Sequence, residues 1–123
     1  MTTALALAAA LTTTTPAHAA ADPCARYIDV AHTVGWPRSQ DMQLRRIMQR
    51  ESHCVPQNIN WADPHGGSWG LLQINGSHRG WLTRGRVIRD LPDLLNPATN
   101  LRAGLQLWRL YGWRPWGTRP SQP

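Results

Sequence analysis

Cys24 and Cys54 are the only cysteines in a chain of 123 residues, and the start of that chain reads as an export signal. Ala4 to Leu11 is an apolar run too short to span a bilayer. Ala17-His18-Ala19 then offers a small-x-small cleavage site before Ala20. Residues 1–19 are expected to be a secretory signal peptide and the protein to be secreted. No Lys or Arg precedes Arg26, so the usual positive n-region is missing, as a start further upstream or an internal Met1 would leave it. The remaining chain from Ala20 is small enough that a single core is marginal and a covalent staple helps. An even cysteine count in an exported chain reads as one disulfide, worth about 3–4 kcal/mol for a loop of this size. Free core thiols are the alternative, and export disfavours them. No second cysteine pair or spaced histidine pair accompanies them, so no metal site and no cofactor is expected.

The hydrophobic pattern divides the chain into helices with a polar interruption. Asp22-Pro23 reads as cap and first residue of a helix with the stripe Cys24, Tyr27, Ile28, Ala31 and Val34, stopped at Gly35. After the turn at Trp36-Pro37, Ser39 is placed as the cap of a second helix running to about His53, with Asp41 in its first turn. The disulfide would tie the first helix to the end of the second. Asn, Asp, Pro and Gly cluster from Asn58 to Gly67, and residues 57–75 read as a small irregular hairpin turning near Asp63 to Gly67. Gly76 to Gly85 reads as loop, and Val87 to Leu95 as a short helical piece broken at Pro92. Asn96-Pro97 repeats the cap-plus-proline signal and opens a helix with the stripe Ala98, Leu101, Leu105, Trp108 and Tyr111, ended by Gly112. The segment from Pro115 to Pro123 is rich in Pro, Gly and Ser and is expected to be loose. The fold class is therefore α+β and mostly α, with one domain over residues 20–116 and a flexible tail at 117–123.

Glu51 is the only glutamate. Leu44, Ile47, Met48 and Glu51 fall at i, i+3, i+4 and i+7, which sets the carboxyl on an apolar face. Desolvation there raises a carboxyl pKa, which is how a fold keeps a general acid protonated near neutral pH. A structural glutamate paired with an arginine satisfies the same position equally well. The formal charge is +6 and every one of the 13 bases is an arginine. Such a balance suits an anionic partner, or reflects a biased composition. The arginines are scattered with no run of three, which argues against a nucleic-acid arm. Beyond the leader no segment is expected to cross a membrane.

Glu51-Ser52 at a helix end, about twenty residues of loop, and then Trp69-Gly70-Leu71-Leu72-Gln73-Ile74-Asn75 form a specific combination. The chain here resembles the lysozyme-like superfamily, and in particular the lysozymes and soluble lytic transglycosylase-like enzymes of bacteria and phages. Leu95-Asn96-Pro97-Ala98-Thr99-Asn100-Leu101 and Tyr111-Gly112-Trp113-Arg114-Pro115-Trp116 resemble later blocks of the same families, so the likeness covers about Arg26 to Trp116. It implies a lysozyme-like fold, with a helical domain and a small β-hairpin region. It implies cleavage of peptidoglycan glycan strands at the bond between N-acetylmuramic acid and N-acetylglucosamine; the protein is expected to be a monomer with no nucleic-acid partner. Glu51 would be the acid.

Most glycosidases use two carboxylates. In animal-type lysozymes the second catalytic Asp stands two residues before the glycine of the matching segment, and that position is Ser68 here. The resemblance therefore implies a lytic transglycosylase with one catalytic carboxylate, a hydrolytic muramidase being the alternative and a non-catalytic wall-binding module a more distant one. Asp63, the other acid of the hairpin, is the alternative candidate for a second catalytic carboxylate, but it stands in an Ala-Asp-Pro turn, where Asp is more often a turn-former. Gln73 and Asn75, alternating on one strand, are candidates to bind the glycan or to satisfy hairpin backbone. Ser68 is a candidate sugar contact or a small hairpin residue. Trp81 is a candidate for stacking on a sugar face, whereas Trp69 and Trp108 read as core. Tyr111 matches the tyrosine that hydrogen-bonds the catalytic Glu in transglycosylases; the family usually reads Tyr-Asn there, whereas this chain reads Tyr-Gly. The five histidines receive no role.

Overall fold

A computed structural model of the chain describes residues 2–12 and 22–117. Residues 2–12 have no regular secondary structure, with Leu5, Leu7 and Leu11 exposed, and add nothing to the core. The expected cleavage site at Ala17-His18-Ala19 and most of the expected tail lie outside the described residues. Helices α1 (Ala25–Val34), α2 (Asp41–Ser52), α3 (Arg79–Arg84) and α4 (Pro97–Tyr111) surround a small antiparallel sheet of β1 (Ile59–Asn60), β2 (Ser68–Trp69) and β3 (Ile74–Asn75). Among the described residues no helix is long and apolar enough to cross a membrane.

The start of α1 lies two residues later than the Asp22-Pro23 signal indicates. Asp22 accepts from the Cys24 amide at 3.0 Å, so the cap chemistry closes a turn ahead of the helix. Gly35 ends α1 in a left-handed conformation, donating to Ala31 and His32. Ser39 does not cap α2. A 3-10 turn, Arg38–Gln40, runs directly into Asp41 and its backbone bonds replace a side-chain cap. Asp41 does occupy the first turn, where its carboxylate meets His32 Nε2 of α1 at 2.7 Å. The Cys24–Cys54 disulfide forms with the Cα atoms 5.2 Å apart, tying the start of α1 to the end of α2 as expected.

Two segments read as loose are ordered. Gly76 to Gly85 holds a 3-10 turn (Gly76–His78) and α3, whose Leu82 is fully buried. Arg114–Trp116 is a 3-10 turn because Trp116 is buried and its indole donates to Leu72 O at 2.8 Å. In the piece expected over Val87 to Leu95, the 3-10 helix is Leu91–Leu95. Pro92 sits in its first turn, where a missing N–H costs nothing, and so starts the element rather than breaking it.

Helix α4 begins as its sequence indicates, with Asn96 accepting from the Thr99 amide at 3.1 Å and Pro97 following. Its buried face differs from the expected stripe. Asn100, Leu101, Ala103, Gly104, Leu105 and Leu107 are buried, while Trp108 is half-buried and Tyr111 is 48% exposed. The helix packs on α1, on β3 and on the 3-10 helix Leu91–Leu95 at once, so it buries more than one stripe. Trp36, Trp108 and Trp113 cluster over its end, with Trp36 and Trp113 stacked at 5.5 Å.

Candidate active site

Residues 68–75 do not form one strand. β2 and β3 pair as a tight hairpin in the register Ser68↔Asn75 and Trp69↔Ile74. The chain turns between them through Gly70 at φ 75° and Gln73 at φ 49°. A Cβ on Gly70 would lie 2.3 Å from Leu94 O, so glycine is required on both conformational and steric grounds. The turn is buried and its backbone has little sheet to bond with, so side chains from distant elements do that work. Asn100 of α4, fully buried, accepts from Leu72 N at 2.9 Å and donates to Trp69 O at 2.8 Å and Leu94 O at 2.9 Å. Ser52 donates to Leu71 O at 2.8 Å, and Trp116 to Leu72 O. Ser52, at the C-terminal end of α2, thus docks that end onto the hairpin turn, and Glu51 precedes it.

The apolar stripe of α2 closes on Ser52 rather than on Glu51. Leu44, Ile47, Met48 and Ser52 are buried, and the Glu51 side chain stays 26% exposed at the edge of that face. Of the two settings open to Glu51, an apolar face and an arginine partner, the arginine is present. Arg50 donates to Glu51 Oε1 through Nη2 at 2.7 Å and Nε at 3.2 Å, and Nη2 also reaches Trp116 O. Glu51 Oε2 has no partner among the described residues. The carboxylate is therefore held by one oxygen from one side, with the other oxygen available.

The remaining candidate residues separate into supports and lining. Ser68 is buried, opposite Asn75, whose Nδ2 stands 3.3 Å from the Ser68 hydroxyl. Asn75 also donates to Pro64 O at 2.9 Å and accepts from Ser77 N at 3.0 Å. Gln73, in the turn and not alternating with Asn75 on a strand, donates to Asn58 O and Gly70 O, both at 3.0 Å. Trp81 lies on α3, not in a loop, and donates to His78 Nδ1 at 3.0 Å. No hydrogen bond joins Tyr111 to Glu51; Tyr111 instead lines an open cavity of about 570 Å³ with His78, Arg114 and Pro115. Trp69 is buried as expected, and Trp61 covers it edge-on at 5.1 Å.

Asp63 is half-buried in the bend between β1 and β2 and is the only acid in the sheet region. Asp22, Asp41, Asp90 and Asp93 are all engaged elsewhere, with Arg45, His32, Arg79 and Arg89. No group of His, Cys, Asp and Glu among the described residues is arranged to hold a metal ion. Ser52, Asn100 and Trp116 fall within the motifs but receive no supporting role from the sequence, and Arg50 falls outside them. Asn100 alone carried a signal, a polar residue within an otherwise apolar helical face.

The family model for the transglycosylase SLT domain matches residues 36–112. That span takes in α2, the sheet, α3 and α4, and leaves α1 and the Arg114–Trp116 turn outside. Comparison with curated proteins and with solved structures found no match.

Proposed function

From the premise that this chain belongs to the transglycosylase SLT domain family, whose domains cleave the glycosidic bonds of peptidoglycan, we propose that it is a lytic transglycosylase with Glu51 as its single catalytic carboxylate. The observation that carries the reading is the placement of Glu51. Ser52 docks its helix end onto the Gly70–Gln73 turn, one carboxylate oxygen is held by Arg50, and the other has no partner among the described residues.

The target is the β-1,4 bond between N-acetylmuramic acid C1 and the O4 of N-acetylglucosamine. Glu51 Oε2 gives its proton to that oxygen as the C1–O4 bond breaks, because an unprotonated sugar alkoxide is a poor leaving group. Positive charge develops at C1. With serine at position 68, the acetamido carbonyl of the muramyl residue meets that charge instead of a second protein carboxylate. Arg50 stabilises the Glu51 anion that exists between the two halves of the reaction. The anion then takes the proton of the muramyl 6-hydroxyl as that oxygen closes on C1, giving a 1,6-anhydro end and regenerating the acid. Ser68, Gln73 and Asn75 shape the floor of the site in this reading, and Trp81 and Tyr111 contribute to the wall that receives the glycan. The protein acts as a secreted monomer at the cell wall, and the Cys24–Cys54 disulfide suits an oxidising compartment.

Mass spectrometry of muropeptides released from purified walls tests the reaction. Anhydro-muramyl ends, lighter by one water than reducing ends, are expected; reducing ends alone would make the protein a hydrolase. Glu51→Gln should lower the rate by about 10³-fold, the scale of a lost general acid. It should leave the melting temperature nearly unchanged, because the Arg50 pair is partly exposed. Wall clearance by the variant at the wild-type rate would remove Glu51 from the mechanism.

A further inference from the structure

His78 ends the 3-10 turn that leaves β3 and stands at the start of α3. Its Nδ1 accepts the indole N–H of Trp81 at 3.0 Å, and the two rings meet edge to face at 5.7 Å. An indole nitrogen only donates, so Nδ1 must be unprotonated and the neutral ring carries its proton on Nε2. Nε2 has no partner among the described residues. The half-buried ring lines the cavity of about 570 Å³ whose other walls are Tyr111 at the end of α4 and Arg114 and Pro115 in the following turn. That same turn supplies Trp116 O to Arg50, and Arg50 holds Glu51, so the cavity and the carboxylate are joined through one short segment. Burial pushes the His78 imidazole below its ordinary value, in keeping with a ring kept neutral. Arg114 faces it as a cation and Tyr111 as a phenol, while its neighbour Arg79 is neutralised by Asp90.

We infer that His78 is a substrate-positioning residue: Trp81 selects its tautomer, and the Nε2–H so presented donates to a neutral oxygen of the glycan, an acetamido carbonyl or a hydroxyl. This assignment rests on the reading of the protein as a peptidoglycan-cleaving enzyme. It also gives Trp81 a different task from sugar stacking, since its polar edge orients the ring that touches the sugar. A neutral donor in a wall that also carries Arg114 separates two recognition chemistries, uncharged sugar oxygens at His78 and anionic groups at the guanidinium.

Two substitutions separate this role from a structural one. In His78→Asn the side-chain oxygen stands near the place of Nδ1 and can still accept from Trp81, but nothing replaces Nε2–H. In His78→Gln the amide nitrogen reaches close to the place of Nε2. With soluble glycan fragments of defined length, His78→Asn should raise KM about fivefold, the scale of one lost hydrogen bond, at unchanged kcat. His78→Gln should bring KM back to within about twofold of wild type. Long-range ¹H–¹⁵N NMR of the wild type should show the Nε2–H tautomer without any substrate. A proton on Nδ1, or a His78→Asn KM equal to wild type in an active enzyme, overturns the inference while leaving the transglycosylase reading intact. A wild type inert on every glycan overturns both.

Discussion

In the proposed reaction Glu51 serves as acid and then as base, and its carboxylate suits that use, with one oxygen tied to Arg50 and one without a partner among the described residues. With serine and not a carboxylate at position 68, that reaction places both proton transfers on the same side chain. His78 makes the other residue-scale claim, and it can be tested without substrate. Burial lowers its folded-state value below the ordinary 6.5, so the unfolded chain binds the proton more readily than the folded one. His78 therefore contributes stability that is full above pH 6.5 and is lost as the pH falls through that value toward the lower, folded one. Thermal denaturation from about pH 8 to pH 5 should show the wild type losing its advantage over His78→Asn as the solution is acidified. A gap that widens on acidification would mean that the imidazole is stabilised in its charged form and is not the neutral acceptor of Trp81.

At the scale of elements, the hairpin turn between β2 and β3 is the part of the site that depends most on distant help. Its buried backbone is satisfied by Asn100, Ser52 and Trp116 from three separate elements. Asn100→Ala removes three buried hydrogen bonds at once, to Leu72 N, Trp69 O and Leu94 O, and should cost about 3 kcal/mol by urea denaturation. Removing the more exposed amide of Gln73 should cost about 1 kcal/mol or less, and equal costs would contradict the division between support and surface. The same turn shows what was legible beforehand. Glu51-Ser52, Gly70 and the Asn96-Pro97 cap are local signals, and each marks its position correctly. The supports are not local signals, because a side chain that bonds the backbone of a remote segment has no periodicity to betray it. The buried face of α4 departs from the expected stripe for a related reason. Hydrophobicity selects Trp108 and Tyr111, whereas packing against α1 and the hairpin selects Asn100, Ala103 and Gly104. Gly104 lacks a side chain where a Cβ would lie 2.2 Å from Leu72 Cδ1, a constraint that exists only once the two elements are together.

For the whole molecule, one covalent tie and one excess of charge have separate consequences. The disulfide joins the start of α1, outside the matched family segment, to the residues just beyond Glu51. Replacing both cysteines by serine should lower stability by about 3 kcal/mol and the melting temperature by about 15 °C. Activity well below that melting point should persist, since Ser52 still docks α2 onto the hairpin turn and Asn100 still holds that turn. The charge of +6 acts differently, because scattered arginines add little to the fold but bias the surface toward an anionic wall. Attraction of that kind is screened over about 10 Å at 0.1 M salt and about 3 Å at 1 M, whereas hydrogen bonds inside the site are screened far less. Raising the salt across that range should therefore weaken sedimentation of the protein with intact walls several-fold, while the KM for short soluble glycans moves much less. Wall binding indifferent to salt would show that contacts in the cleft, and not the arginine surface, bring the enzyme to its polymer.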